Sequence, residues 1–176
     1  MRRTLTMLSA MAVMVVLAAG VAVAADVQCT TDPCVGTKGT DQIWGTPNPE
    51  TIRALAGDDR VYADEGNDTI YLDRGADSVD GYTGDDTIYG GGGDDSVLVG
   101  AEDSDTVYGG QGNDFIDAAQ YDTQSIDLSY GEGGNDTIEA RDGYVDSINC
   151  GAGRKDTVYY DEGIDTVTNC EIENPV

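Results

Sequence analysis

The chain has 176 residues, 34 of them acidic, nine basic and none histidine, for a formal net charge of −25. This balance excludes nucleic acid as a partner, because binding phosphates needs clustered Lys and Arg, and it excludes an anionic membrane surface by the same sign. Without histidine the commonest general base and the usual Zn and Cu ligand are gone, so the natural partners are cations that take oxygen ligands.

The first predicted element is a leader. Arg2 and Arg3 precede an apolar stretch from Met7, and Ala22–Ala24 offers small residues for cleavage. This reads as a secretory signal peptide at 1–25, which implies a secreted protein with no membrane span once it is cut. Two of the nine basic residues and none of the acidic ones lie in this segment, leaving seven basic against 34 acidic and a mature net charge of −27. Leu, Ile, Val and Phe make up roughly 17% of the mature chain, a proportion seen in disordered proteins. The order of the residues argues against disorder.

From Ile43 an aliphatic residue follows two places after an acidic one at a fixed period. Ile43, Ile52, Val61, Ile70, Val79, Ile88 and Val97 are each nine apart. Val107, Ile116, Ile138, Ile148, Val158 and Val167 continue the series with one-residue slips and one larger irregularity. Each unit has six residues of turn chemistry, such as "GGGGDD" or "GGQGND", then three that read polar, aliphatic, polar or aromatic. A glycine-rich turn and a minimal strand, repeated, wind into a coil. Two units make one circuit, and successive circuits stack as parallel strands about 4.8 Å apart. The predicted fold is all-β: a parallel β-roll, or β-solenoid, with two short strands per circuit. Asp59, Asp77 and Asp95 fall along one edge, and Asp68, Asp86 and Asp105 along the other.

The segments "GGQGNDFID" (109–117) and "GGGGDDSVL" (90–98) match G-G-x-G-x-D-x-U-x in full. Over about 36–168 the chain resembles the hemolysin-type calcium-binding repeats, also called RTX repeats. The resemblance implies several Ca²⁺ ions between stacked turns. It carries the ligand role to the sixth-position aspartates Asp41, Asp59, Asp68, Asp77, Asp86, Asp95, Asp105, Asp114 and Asp136, together with turn carbonyls.

The residue chemistry points the same way. Ca²⁺ accepts six to eight oxygen ligands in flexible geometry, whereas Mg²⁺ demands a tighter octahedron and keeps its waters. One buried aliphatic per nine residues is little apolar burial to set against ordering the unit, and stacked carboxylates add repulsion. A divalent cation between them answers both, so the chain is expected to fold on binding Ca²⁺. An EF-hand is excluded, since "DEGNDTIYL" lacks the closing Glu of the twelve-residue loop, and the glycines at 90–93 are followed by no GK[ST] of a phosphate loop. No histidine is present for a Ser-His-Asp arrangement, and no catalysis is expected.

Several units depart from the pattern. "GTPNPETIR" (45–53) has two prolines and Glu50 at the Asp position, which predicts a poor site. Residues 118–130 break register; Ile126 is expected to point inward with Gln124 where Asp belongs, leaving a gap in the metal row. Arg154 and Lys155 compete with a cation in the last turns. Cys29, Cys34, Cys150 and Cys170 imply disulfides with three possible connectivities. The short first spacing and the near-circuit second one favour Cys29–Cys34 and Cys150–Cys170, which staple the two ends of the solenoid. The expected organisation is a disulfide loop at 26–35, the calcium-binding β-roll at 36–168 and a C-terminal cap at 169–176. Thr69, Thr87 and Thr106 share an outer face with Tyr71, Tyr89 and Tyr108. That face is either ladder packing on an exposed sheet or a surface module for adhesion, glycan or ice.

Overall fold

A computed structural model describes residues 24–100, 103–119 and 126–176. Most of the expected leader, and Gln124, lie outside the described residues. The rest is built from strands alone; among the described residues there is no helix, and so none long and apolar enough to cross a membrane.

The strands alternate between two parallel sheets, as an 18-residue circuit requires. The nine-stranded sheet holds β1 (Asp26–Gln28), β3 (Gln42–Trp44), β5 (Arg60–Tyr62), β7 (Ser78–Asp80), β9 (Ser96–Leu98), β11 (Phe115–Asp117), β13 (Thr137–Ala140), β15 (Thr157–Tyr160) and β17 (Ile172–Pro175), in that order. The eight-stranded sheet holds β2 (Cys34–Val35), β4 (Thr51–Arg53), β6 (Thr69–Tyr71), β8 (Thr87–Gly92), β10 (Thr106–Gln111), β12 (Leu128–Gly133), β14 (Ser147–Asn149) and β16 (Thr166–Thr168). Registers pair each inward aliphatic with the one a circuit away: Ile43 with Val61, Val61 with Val79, Ile70 with Ile88. Three strands, β8, β10 and β12, run six residues and carry the pairing into the turn.

The core is a single column of these aliphatics. Those from Ile43 to Val158 are essentially inaccessible, and Val167 is partly buried against them. A second residue per unit also points inward, at the first turn position: Ala54, Ala63, Leu72, Val99, Ala118 and Ala140 are all buried there. The nine-residue pattern hides this layer because it is filled by residues of many sizes, glycine included.

The irregular segment has a different register from the expected one. Ile126 is 54% exposed, while Asp127 and Ser129 are buried. Ser129 pairs with Val107 on one side and Ile148 on the other, and so takes the aliphatic place. Asp127 takes the acidic place. The next turn, "GEGGND", fixes the frame: counting nine back from Asp136 and Ile138 lands on Asp127 and Ser129. The four extra residues of this unit lie in sequence between Ala118 and Asp127. Ile126 draws the eye because it is apolar, but it sits one place before the acidic position, where side chains face solvent.

Strand pairing continues to both ends. β1 pairs with β3, and β17 with β15. Cys29 is bonded to Cys34, whose side chain occupies the core position above Ile52, and Cys150 is bonded to Cys170 in the adjacent circuit.

Candidate metal centre

Two rows of carboxylates run the length of the roll, one at each edge. In each row the backbone N–H of one aspartate donates to Oδ1 of the aspartate a circuit later. Asp41, Asp59, Asp77, Asp95, Asp114 and Asp136 donate in turn to Asp59, Asp77, Asp95, Asp114, Asp136 and Asp156, at 2.7 to 2.9 Å. On the other edge Glu50, Asp68, Asp86, Asp105 and Asp127 donate to Asp68, Asp86, Asp105, Asp127 and Asp146, at 2.8 to 2.9 Å. Each carboxylate therefore spends one oxygen splicing two circuits. The row does not break at the irregular segment, because Asp127 continues it.

The other oxygen is the informative one. Oδ2 of Asp59, Asp68, Asp77, Asp86, Asp95, Asp114, Asp136 and Asp146 is buried and accepts no hydrogen bond. A buried carboxylate oxygen left in this state is costly. Its surroundings are acceptors rather than donors. A Cβ placed on Gly90 would lie 2.7 Å from Asp95 Oδ2 and 2.2 Å from the Gly109 carbonyl oxygen of the next circuit. The same pair of oxygens converges at Gly81, where the point is 2.7 Å from Asp86 Oδ2 and 2.2 Å from the Val99 carbonyl. At Gly131 it is 2.5 Å from Asp136 Oδ2 and 2.4 Å from the Cys150 carbonyl. Glycine keeps this oxygen-lined approach open. The fourth turn position is tighter still: Gly93 has φ of +134°, and a Cβ there would lie 1.6 Å from the Gly75 carbonyl oxygen, so no larger residue stacks in its place.

The electrostatics follow from burial. Burial first, and then the neighbouring carboxylates, push Asp105 up to about 9, Asp86 and Asp146 to about 8, and Asp68, Asp77, Asp95 and Asp136 to about 7. The backbone N–H bond to each works in the opposite sense and is outweighed. Metal-free turns thus hold carboxyls that resist ionising. A hard cation that takes oxygen ligands removes the penalty at its source, and the residues present suit Ca²⁺: carboxylate and carbonyl oxygens, no imidazole, no free thiol. Among the described residues no three carboxylate or thiol side chains converge on one point, so a site here must be completed by turn carbonyls.

The RTX calcium-binding nonapeptide repeat matches this chain four times, at residues 44–79, 73–103, 96–120 and 121–144. The chain belongs to that family. The RTX repeats thereby account for the β-solenoid, for the glycine stacks and for calcium as the cation. No curated protein matches the chain.

Sequence reasoning singled out Asp41, Asp59, Asp68, Asp77, Asp86, Asp95, Asp105, Asp114 and Asp136, and the structure brings all nine into these two rows. It also brings in Asp127, Asp146 and Asp156. Asp127 was hidden by the insertion before it. The rows are not uniform. Asp41 has its Oδ2 engaged by the Thr37 N–H and its Oδ1 by Ala25 N–H and the Thr37 hydroxyl. Glu50, with a longer side chain, takes the Thr46 N–H in a short contact.

Proposed function

We propose that this protein is a secreted, non-catalytic calcium-binding β-roll that folds when it takes up several Ca²⁺ ions along its two edges. The observation that carries this reading is the run of buried Oδ2 atoms without donors, of which those of Asp86, Asp95, Asp114 and Asp136 face a carbonyl of the next circuit across a glycine. The ligand set proposed is the carboxylates of Asp59, Asp68, Asp77, Asp86, Asp95, Asp105, Asp114 and Asp136, extended to Asp127 and Asp146, with Asp41 weaker because its oxygens already have donors. Bound Ca²⁺ supplies positive charge where stacked carboxylates repel. The chain's own residues position it, since in the folded roll each Asp N–H fixes the carboxylate of the next circuit.

Export through an N-terminal signal at 1–25 is part of the proposal. It is supported by the leader's composition and by two disulfides, which form in oxidising compartments. The tyrosine face supports a packing role over an adhesive one. Tyr71, Tyr89, Tyr108 and Tyr130 stack with centroids 4.9 to 5.0 Å apart and planes within 7°, so each ring covers its neighbour's face and leaves only edges to a ligand.

The test is a calcium titration of the EDTA-stripped mature chain, followed by far-ultraviolet circular dichroism, with native mass spectrometry to count ions. A β spectrum should appear with Ca²⁺ and not with equal Mg²⁺. The same β spectrum in metal-free protein at neutral pH would reject folding on calcium.

A further inference from the structure

The outer face of the nine-stranded sheet carries one feature that calcium does not explain. Trp44 and Tyr62, on β3 and β5, stack at 6.1 Å with planes 17° apart. This pair is looser than the tyrosine ladder on the opposite sheet, and the row does not continue as a ladder, because Asp80 follows Tyr62 in register. Two turn residues complete the surround. Asp64 and Tyr82 occupy the second turn position of successive circuits on the same edge, both exposed and both with left-handed backbone, φ +77° and +68°. Together Trp44, Gly45, Tyr62, Asp64 and Tyr82 line an open cleft of about 300 Å³. The Asp80 carboxylate lies beside it and takes the Tyr82 N–H. Asp80 is also the foremost influence holding the Tyr82 phenol above its ordinary pKa, with burial, Tyr62 and Asp64 adding to it. Three aromatic rings and the Asp64 carboxylate thus line one opening, with the Asp80 carboxylate beside it, in a chain of high negative charge.

We propose that this cleft binds a methylated ammonium cation. Aromatic faces attract a cation through the ring quadrupole, and the carboxylates at the rim add the matching charge. A bare metal ion needs six or more oxygens, which two carboxylates on an aromatic wall do not supply. A neutral sugar would stack on Trp44 and donate hydroxyls to Asp64 and Asp80, but it brings no charge to balance theirs. A methylated ammonium spreads its charge over an apolar surface and needs no hydrogen-bond acceptor, which is what this lining offers. A free solute and a lipid head group present this cation with the same chemistry.

Trp44 is the sole tryptophan, so its fluorescence reports on this cleft alone. The mature protein, held in saturating Ca²⁺ with its β spectrum verified, is titrated with choline at constant ionic strength. The expected result is a saturable change in Trp44 emission in the millimolar range. The neutral isostere 3,3-dimethylbutanol should bind about tenfold more weakly or worse. Asp64→Asn and Tyr82→Gly should each weaken choline binding about tenfold, while Tyr82→Phe, which keeps the ring, should retain it. Glycine suits the left-handed backbone at 82, and Asp64→Asn carries the test if Tyr82→Gly disturbs folding. Co-sedimentation with phosphatidylcholine vesicles assigns the lipid source; choline binding without co-sedimentation assigns the free solute. No emission change, an equal response to the neutral isostere, or a choline response untouched by both Asp64→Asn and Tyr82→Gly overturns the proposal.

Discussion

The central circuits and the last one use the same residues to different ends. Between Ala54 and Asp117 each sixth-position aspartate is buried, and the Oδ2 atoms of Asp59, Asp68, Asp77, Asp86, Asp95 and Asp114 lack donors. At Asp165 the protein supplies the donors itself: Oδ1 takes the Asp146 N–H at 3.0 Å and Oδ2 the Asp161 N–H at 2.7 Å. The core fails there too. Val158 pairs with Glu173 instead of an aliphatic residue, and Val167 is only partly buried. In place of a cation and a full core, the end has a disulfide between Cys150 and Cys170. A carboxylate at the repeat position is therefore no site by itself; what matters is whether the turn leaves one of its oxygens without a donor.

The largest effect expected is collective. Folded-state pKa values of about 7 to 9 at Asp68, Asp77, Asp86, Asp95, Asp105, Asp136 and Asp146 lie above the ordinary 3.8. For an acid with a raised pKa the folded state binds more protons than the unfolded one, so its stabilising share is complete below about pH 4 and is lost as pH rises to 7–9. In chelator, acidifying the mature chain from pH 8.5 to 5 should restore β structure, and saturating Ca²⁺ should flatten that dependence. Circular dichroism across this range checks it; metal-free protein that loses structure on acidification contradicts the arrangement.

Next in size is the direct contrast between the two regions. Asp86→Ala removes the acceptor for the Asp68 N–H and one proposed ligand at the middle of its row. It should destabilise the calcium-loaded fold by about 2–3 kcal/mol, which, shared over several ions taken up together, raises the calcium midpoint of folding several-fold. Asp165→Ala should shift it much less. Equal shifts, or a larger one at Asp165, would remove the distinction between centre and end.

Much of this contrast is legible in the sequence, and some is not. The nine-residue spacing of Ile43 to Val97 announces two parallel sheets, because only a coil puts residues 18 apart in contact. The aspartate rows follow from the same spacing. Donor satisfaction does not. Asp41 and Asp86 look alike as letters, yet Thr37 supplies donors to one and a glycine turn supplies none to the other. The inward first-position layer was missed because Ala, Leu, Val and Gly share no pattern there. Ser129 and Asp127 escaped because an insertion shifted the frame, and an apolar Ile126 offered a false anchor.

The disulfide at the weak end gives the third prediction. Replacing Cys150 and Cys170 together by Ser should cost about 3 kcal/mol, the value for a closed loop of this size. The loss should be local. Amide exchange should quicken in β14 to β17 while β6 to β10 remain protected, because neighbouring circuits in a solenoid open separately. Uniform loss of protection across the roll would mean that the end is no independent cap.

The smallest effect tests the corrected register within the irregular segment. Ser129 stands between Val107 and Ile148 in the inward column, with its hydroxyl buried and accepting or donating no hydrogen bond. Ser129→Val would extend the aliphatic column and remove the unsatisfied group, so it should stabilise the calcium-loaded protein by about 1 kcal/mol. The branched side chain also suits a strand. Ile126→Ser, at a residue 54% exposed, should stay within about 0.5 kcal/mol of the parent, as surface changes usually do. The two possible frames differ in what they predict for each variant. If the frame ran through Ile126, its truncation would cost about 2 kcal/mol or more, and Val at 129 would place an apolar group on the surface for no gain. Thermal melts of both variants in saturating Ca²⁺ separate these outcomes, and a destabilised Ile126→Ser beside an unchanged Ser129→Val would return Ile126 to the core.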